Sequence, residues 1–346
     1  MTDDAAVMRS QPHQHCIVCG GPGEPLYQGL SDRLFGAAGS WGLRRCTDRG
    51  CGLIWIDPLP LAADLGKAYE RYYTHDDLPA HDSRLRSAFV AAKRAYLAQK
   101  YGYPRPAGQW WTAMLVPLVY LHPGRRAVMD FNVMWLPYRP AGRLLDVGCG
   151  NGALLRFMHE LGWHAEGVDF DPQAARNAVA KGVKVYVGEL AALRFPDAAF
   201  DAVTMSHFIE HVHDPSLLLR ECHRILKPGG RLVVVTPNNA SFGHHIYKEN
   251  WRGLEPPRHL HLFNIACLDA LAARNGFGER TLSTSIRDAY GIFLGSRSIA
   301  RSGQYAMGSL QPRRLRAWAR AMELVEWLVL KARPDAGEEL VMIARK

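Results

Sequence analysis

The sequence predicts a doubly wound α/β protein, with a mostly parallel seven-stranded sheet, a small cysteine-rich N-terminal lobe and helical insertions. Three observations predict it. From Gly142 onward, short apolar runs alternate with amphipathic stretches, the βαβ rhythm of a parallel sheet covered on both faces. The run LLDVGCGNG (144–152) places three glycines at alternate positions between the first such strand and the first helix. Four cysteines, Cys16, Cys19, Cys46 and Cys51, cluster near the N-terminus, while Cys149, Cys222 and Cys267 stand alone.

Each element has its own signal. Strands are expected at 143–148, 164–170, 183–188, 200–207 and 231–236, with helices at 152–161, 172–181 and 214–226. Pro172 suits the first turn of the second helix, and Gly182 ends it. Lys227-Pro228-Gly229-Gly230 reads as a helix stop and a turn into the next strand. Further on, 265–275 reads as helix and 279–288 as strand, and ELVMIARK closes the chain as a last strand. Leu315, Trp318, Met322, Val325 and Val329 recur at spacings of three and four, an amphipathic helix over 313–333 that is expected to pack as core or lid. The expected domains are a zinc-ribbon-like lobe over 1–57, a mostly helical connecting or cap region over 58–140, and an α/β core over 141–346 with a helical insertion at about 290–335.

Composition narrows the class. A chain of 346 residues predicts about two domains, and 48% apolar with 22% charged residues is ordinary for a globular protein. MTDDAAVMRSQPHQH has no apolar core of a secretory signal. Trp110 to Leu121 falls short of the ~18 residues of a spanning helix and is interrupted by Pro117, so a cytoplasmic protein without a transmembrane segment is expected. The net charge of +9 permits nucleic acid, an anionic membrane or an acidic substrate. The basic residues are scattered, however, in pairs such as Arg44-Arg45, Arg125-Arg126 and Arg313-Arg314, and read as solvated surface.

Cys16-x2-Cys19 and Cys46-x4-Cys51 are separated by 26 residues, and a glycine, Gly20 or Gly52, follows the second thiol of each pair. Four thiolates suit tetrahedral Zn2+, and so small a segment needs a staple to fold. An odd cysteine count argues against a disulfide framework. His13 or His15 is an alternative ligand. A closed four-ligand site is structural rather than catalytic.

The glycine loop reads as a ligand cradle. Without Cβ atoms the backbone passes directly under a ligand, and the helix that follows aims free N–H groups at it. Asp169, 17 residues after Gly152 at the end of the second strand, suits a ribose diol, so the pair predicts an adenosine-containing cofactor. DVGCGNG, VDFDP, FDAV followed by EHVHDP, and LKPGGRLVV stand in that order, and together they resemble the class I S-adenosylmethionine-dependent methyltransferases, in the broad group that modifies quinones and sugars. The resemblance covers roughly 142–288 and the terminal strand. The N-terminal lobe resembles those of some sugar C-methyltransferases and, separately, some ribosomal-RNA methyltransferases.

That resemblance implies site roles. The backbone of Gly148, Cys149, Gly150, Asn151 and Gly152 would hold the methionine part and the ribose, with Asp146 orienting the amino group. Asp169 would take the ribose diol and Phe170 would lie beside it. Glu189 and Leu190 would flank the adenine, and Ser206 and His207 would lie beside the sulfonium. One departure stands out: some 50 residues separate the last two strands, which in the family form a near-contiguous hairpin.

Methyl transfer needs a base only where the nucleophile carries a proton, and histidine is the usual choice. His207 and His211 frame FIEH, while His259 and His261 lie in WRGLEPPRHLHLF (251–263), and these four are the candidate catalytic residues. Arg252 and Arg258 are candidates to pair with an anionic acceptor, and Tyr69, Tyr72, Tyr73 and His75 to cap the site. No Asn-Pro-Pro-Tyr follows the fourth strand, which argues against methylation of exocyclic base nitrogens. The leading expectation is a small-molecule methyltransferase acting on a sugar, quinone or natural product. A zinc-containing RNA methyltransferase is the alternative, and a cofactor-binding protein without transfer activity the third reading. The acceptor atom and the oligomeric state are not encoded in any motif.

Overall fold

The computed structural model describes residues 8–69, 84–105, 110–120 and 123–346. Tyr72, Tyr73 and His75 lie outside the described residues. The N-terminal lobe holds β1 (Gly23–Leu30), β2 (Trp41–Cys46) and β3 (Ile54–Asp57), and α1 (Arg84–Tyr101) and α2 (Pro123–Phe131) follow. The α/β part runs β4 (Arg143–Val147), α3 (Ala153–Glu160), β5 (His164–Asp169), α4 (Pro172–Ala180), β6 (Lys184–Val187), β7 (Phe200–Ser206), α5 (Pro215–Ile225) and β8 (Leu226–Pro237). After α6 (Phe242–Tyr247) come β9 (His261–Leu262), α7 (Ile265–Arg274), β10 (Arg280–Ser285), α8 (Ala289–Ser302), α9 (Arg313–Ala332) and β11 (Glu339–Arg345).

Seven strands form one sheet in the order β10-β11-β8-β7-β4-β5-β6. The pairs β4–β5, β4–β7 and β5–β6 are parallel. Every residue of β7 but the last is buried, as both faces of a central parallel strand require. At the edge, β10 alternates between half-buried and exposed residues up to its buried last residue, Ser285. The two last strands are sheet neighbours although α8 and α9 separate them in sequence, so the long insertion leaves their pairing intact. Within the insertion the Arg297 guanidinium lies 4.1 Å over the Trp318 ring, and Phe293 meets that ring edge-on.

Helix α5 stops at Ile225, just before Lys227–Gly230 as expected, but the strand starts earlier than expected. β8 begins at Leu226, directly after α5, and runs through these residues. Gly229 takes φ +73° and donates its N–H to the Lys346 carbonyl, while at the other end of β8 Asn238 donates to Glu338. The start of β8 thus meets the end of β11, an antiparallel pairing. A partner from the far end of the chain engages the Pro-Gly-Gly segment, in which Gly229 keeps the left-handed conformation that local propensity favours.

The chain divides into two compact units, each built from discontinuous stretches: Met1–Tyr73, Ser206–Arg220 and Val234–Met342 make one, and Thr74–Met205, Glu221–Val233 and Ile343–Lys346 the other. In the first unit, β1, β2 and β3 form an antiparallel sheet that β9 completes, with His261 opposite Trp55 and Leu262 opposite Ile54. The cysteine lobe therefore borrows a strand from the 251–263 loop. Asn264 and Asn239 donate to the Cys51 and Gly52 carbonyls, and Leu43, Ile54, Ile56, Trp251, Leu260 and Leu262 share one buried cluster.

A buried ion pair secures the same unit. Arg258 is fully buried and donates to both carboxylate oxygens of Asp32, at 2.8 and 2.9 Å, to Glu255 at 2.9 Å and to the Ala68 carbonyl at 3.0 Å. Arg252 pairs with Asp288 at 3.0 Å. Both arginines expected to meet an anionic acceptor are thus committed to internal carboxylates. Removing one partner of a buried pair strands the other charge, at a cost of about 3–5 kcal/mol. Asp32→Ala is therefore expected to lower the unfolding free energy by that order in denaturant titration, whereas a loss below about 1 kcal/mol would show that the pair does not hold the lobe.

Candidate functional site

In the second unit, register sets the geometry of the glycine loop. Val147 pairs with Val168, so β4 and β5 end together, and the N–H groups of Gly148 and Cys149 continue the ladder onto the Val168 carbonyl at 2.8 and 3.2 Å. The chain then turns through Gly148, Gly150 and Gly152 at φ +76°, +51° and +71°, a left-handed region that glycine enters without strain. Asp169 latches the turn: its Oδ2 accepts from the Gly150 N–H at 2.8 Å and its Oδ1 from the Asp171 N–H at 2.9 Å. Gly188 donates to the Asp169 carbonyl, which ties the end of β6 to the same place. Leu190 is buried, Glu189 is exposed, and Phe170 presents an exposed ring.

Asp146 is buried before the loop and accepts from the Thr204 hydroxyl at 2.7 Å. Burial raises its pKa to about 7 against the opposing Thr204 bond, with the Asp169 charge adding to the rise. Asp146, Gly148, Cys149, Gly150, Asn151, Gly152 and Asp169 thus stand on one loop and the two strand ends it joins.

The three glycines do not share one cause. A Cβ on Gly152 would lie 2.8 Å from both Ala178 Cβ and Val183 Cγ2, so packing against α4 requires that glycine irrespective of any ligand. Gly167, which no motif singled out, has the same kind of cause, since a Cβ there would lie 2.5 Å from Cys149 Sγ.

Ser206, His207, His211, His259 and His261 belong to the first unit. There His207, at φ +51°, accepts no free role: its Nε2 lies 2.9 Å from Glu339 Oε1 and its Nδ1 3.4 Å from Glu210 Oε1. Arg287 binds Glu339 as well. Burial opposes charge on His207, but the two carboxylates outweigh it and lift its pKa to about 10. A histidine protonated at neutral pH is no general base, which corrects the expected role for His207.

The remaining three histidines differ. His261 is fully buried in β9, and burial lowers its pKa to about 3. That position is internal to the lobe sheet and removes His261 from the acceptor-facing set. His259 is buried with Nδ1 2.8 Å from the Gly253 carbonyl, and burial lowers its pKa to about 4, so it is neutral at physiological pH. His211 is partly exposed, with Nδ1 3.0 Å from both the Arg258 carbonyl and the Tyr69 hydroxyl, and its ring stands 4.9 Å from that of His259. Between them lies Glu210, fully buried and held ionised, with a pKa of about 2 because the neighbouring histidines, His207 first, overcome its burial. In the sequence Glu210 carries no signal beyond its place between His207 and His211. Its burial depends on Thr236 and on the 251–263 loop, neither of which is near it in sequence.

The four clustered cysteines bring their sulfurs within 4.8 Å of one another, with Cys16–Cys51 at 3.6 Å and Cys19–Cys46 at 3.3 Å. A tetrahedron with ~2.3 Å zinc–sulfur bonds has edges of about 3.8 Å, so the donor set fits that ion after small adjustment. Gly20 and Gly52 turn the two knuckles at φ +76° and +61°. Neither His13 nor His15 belongs to the cluster.

Residues 120–279 match a family described as a methyltransferase domain. The chain is 37% identical over 144 residues to a ubiquinone biosynthesis O-methyltransferase of Xanthomonas axonopodis, covering 38% of this chain and 57% of that protein. It is 32% identical over 167 residues to a probable S-adenosylmethionine-dependent methyltransferase of Mycolicibacterium smegmatis, covering 46% and 59%. The chain thus spans a little over half the length of these curated relatives. Among solved structures, Haemonchus contortus phosphoethanolamine N-methyltransferase 2 aligns over 93% of this chain and 71% of its own, at 17% identity and a TM-score of 0.43.

Two outcomes follow from this geometry. Gly152→Ala places a side chain at positive φ against α4, and is expected to destabilise the ligand-free protein by about 1–3 kcal/mol in chemical denaturation. An unchanged midpoint would return that glycine to a purely ligand-related role. The stabilisation from His207 should be complete below its unfolded pKa of ~6.5 and fade as pH rises towards 10, because folding raises its proton affinity. His207→Gln should therefore lower stability at pH 6 and flatten its decline between pH 7 and 10; identical slopes in both proteins would refute the charged state.

Proposed function

Because this chain belongs, through residues 120–279, to the class I S-adenosylmethionine-dependent methyltransferases, we propose that it transfers the methyl group of S-adenosylmethionine to a small-molecule acceptor of sugar, quinone or natural-product type. The observation that carries this reading is the strand-end cradle, where Asp146, the glycine loop and Asp169 converge in the domain that matches the family. S-adenosylmethionine supplies an electrophilic methyl on a sulfonium, which an acceptor displaces in line. The chain's part is to bind, align and exclude water.

In this reading Asp146 meets the ammonium group of the donor. Its raised pKa suits the role, since an arriving cation favours the ionised carboxylate that burial disfavours. Asp169 keeps the loop closed through Gly150 and takes the ribose diol, while Phe170 and Leu190 bracket the adenine. Of the four expected histidines, His211 and His259 keep ring nitrogens able to accept a proton, and they take the acceptor-activating role. The named function of the Xanthomonas relative supports a hydroxyl on a quinone-type ring as the acceptor class. Cys16, Cys19, Cys46 and Cys51 hold a structural Zn2+ that staples the lobe, in keeping with the fit of their sulfurs.

Calorimetry with S-adenosylmethionine tests the cradle. Asp169→Ala is expected to weaken binding by about 1–3 kcal/mol, the scale of hydrogen bonds lost at a buried polar site. Equal affinity in the two proteins would remove Asp169 from the ribose. Metal analysis of protein prepared without chelator should find about one zinc on the thiolates, lost in Cys16→Ser; a zinc content unaltered by that change would dismiss the cysteine site.

A further inference from the structure

One cluster of metal-ligating side chains stands apart from the thiolates. Glu210, His211 and His259 each offer one ligand atom, and the three atoms lie within 4.8 Å of one another. They come from two segments of the same unit, the turn after β7 and the loop before β9. Glu210 and His259 are buried, and His211 is partly exposed.

The surrounding hydrogen bonds define which ring nitrogens keep a lone pair. A carbonyl only accepts, so the contacts of His211 Nδ1 with the Arg258 carbonyl and of His259 Nδ1 with the Gly253 carbonyl place the hydrogen on Nδ1 in both rings. Each Nε2 is left with a lone pair. A backbone carbonyl on the far nitrogen is also how metal-bound imidazoles are oriented. Glu210 Oε2 accepts from the Thr236 hydroxyl at 2.9 Å. Its Oε1 is buried without a hydrogen bond, with His207 Nδ1 3.4 Å away as an ion-pair partner. A buried anionic oxygen that lacks a hydrogen bond is costly, and a cation satisfies it.

We propose that Glu210, His211 and His259 bind a first-row divalent transition-metal ion, at a site separate from the cysteine cluster. Two imidazoles and one carboxylate suit Zn2+, Mn2+, Fe2+ or Co2+ better than the all-oxygen preference of Mg2+ or Ca2+. Bonds of ~2.0–2.2 Å require the ligand atoms to draw in to roughly 3–3.5 Å, a matter of side-chain rotation. An ion on Oε1 leaves His207 paired with Glu339, which already holds its other nitrogen at 2.9 Å. Three protein ligands leave coordination positions open to water or to an acceptor oxygen. On this reading, which rests on the proposed transfer, the ion takes over the acceptor-activating role given to the two histidines, yet its occupancy is measured without donor or acceptor, so its failure leaves the transfer reading standing.

The test titrates Co2+ into the full chain after a mild chelator has removed weakly held metal. One equivalent should bind with visible ligand-field bands and without the thiolate charge-transfer absorption that marks cysteine ligation. Glu210→Gln and His259→Gln should each weaken this binding at least tenfold, while calorimetric binding of S-adenosylmethionine reports that the variants are folded. Ligand-field bands absent from the wild-type protein at millimolar Co2+, or bands of equal affinity in both folded variants, overturn the site. The wild-type titration decides the matter even if a variant fails to fold.

Discussion

Parallel register between β4 and β5 is the constraint on which the cofactor cradle depends. Because Val147 pairs with Val168, the two strands end level, and Asp146 and Asp169 come to stand on either side of one turn. The ladder does not stop at the strand ends: Gly148 and Cys149 still donate to Val168, and Gly150 reaches the Asp169 carboxylate. Three glycines in the left-handed region follow from the need to reverse direction in so few residues. Moving either strand by one residue would turn its own acid to the opposite face of the sheet and part it from the other.

Surroundings, rather than residue type, separate the four histidines. Two carboxylates, Glu210 and Glu339, hold His207 as a cation. Burial keeps His259 and His261 neutral, one beside a backbone carbonyl and the other inside a strand. His211 is partly exposed, with Tyr69 at its ring. Glu210 neighbours three of them, His207, His211 and His259, and its buried carboxylate with the lone pairs of the His211 and His259 rings recommends the spot to a metal ion.

Much of this was legible along the chain. Alternating apolar periods located all seven strands of the large sheet, and the sulfur pairs with their glycines located a four-thiol cluster. These signals are local, because strand periodicity, helix caps and knuckle turns act over a few residues. Less legible were contacts whose partners lie far apart in sequence. The extension of β8 through Pro228-Gly229-Gly230 depends on Lys346, and the lobe sheet depends on β9 from the 251–263 loop. Arg258 looked like an anion receptor for the same reason, since its partner Asp32 lies more than two hundred residues earlier.

The sequence by itself determined the layered α/β architecture, the strand–glycine–helix turn with its flanking acids, and the cysteine spacing, since each rests on short-range periodicity or on a backbone conformation that only certain residues adopt. Tertiary structure alone decided the protonation and use of the polar groups. Whether Asp146 titrates near neutrality, whether His207 is a cation, and whether Gly152 serves a ligand or a neighbouring helix all turn on burial and on charges brought in from distant segments. Those energies arise when the chain closes on itself and water is excluded, and no local pattern contains them.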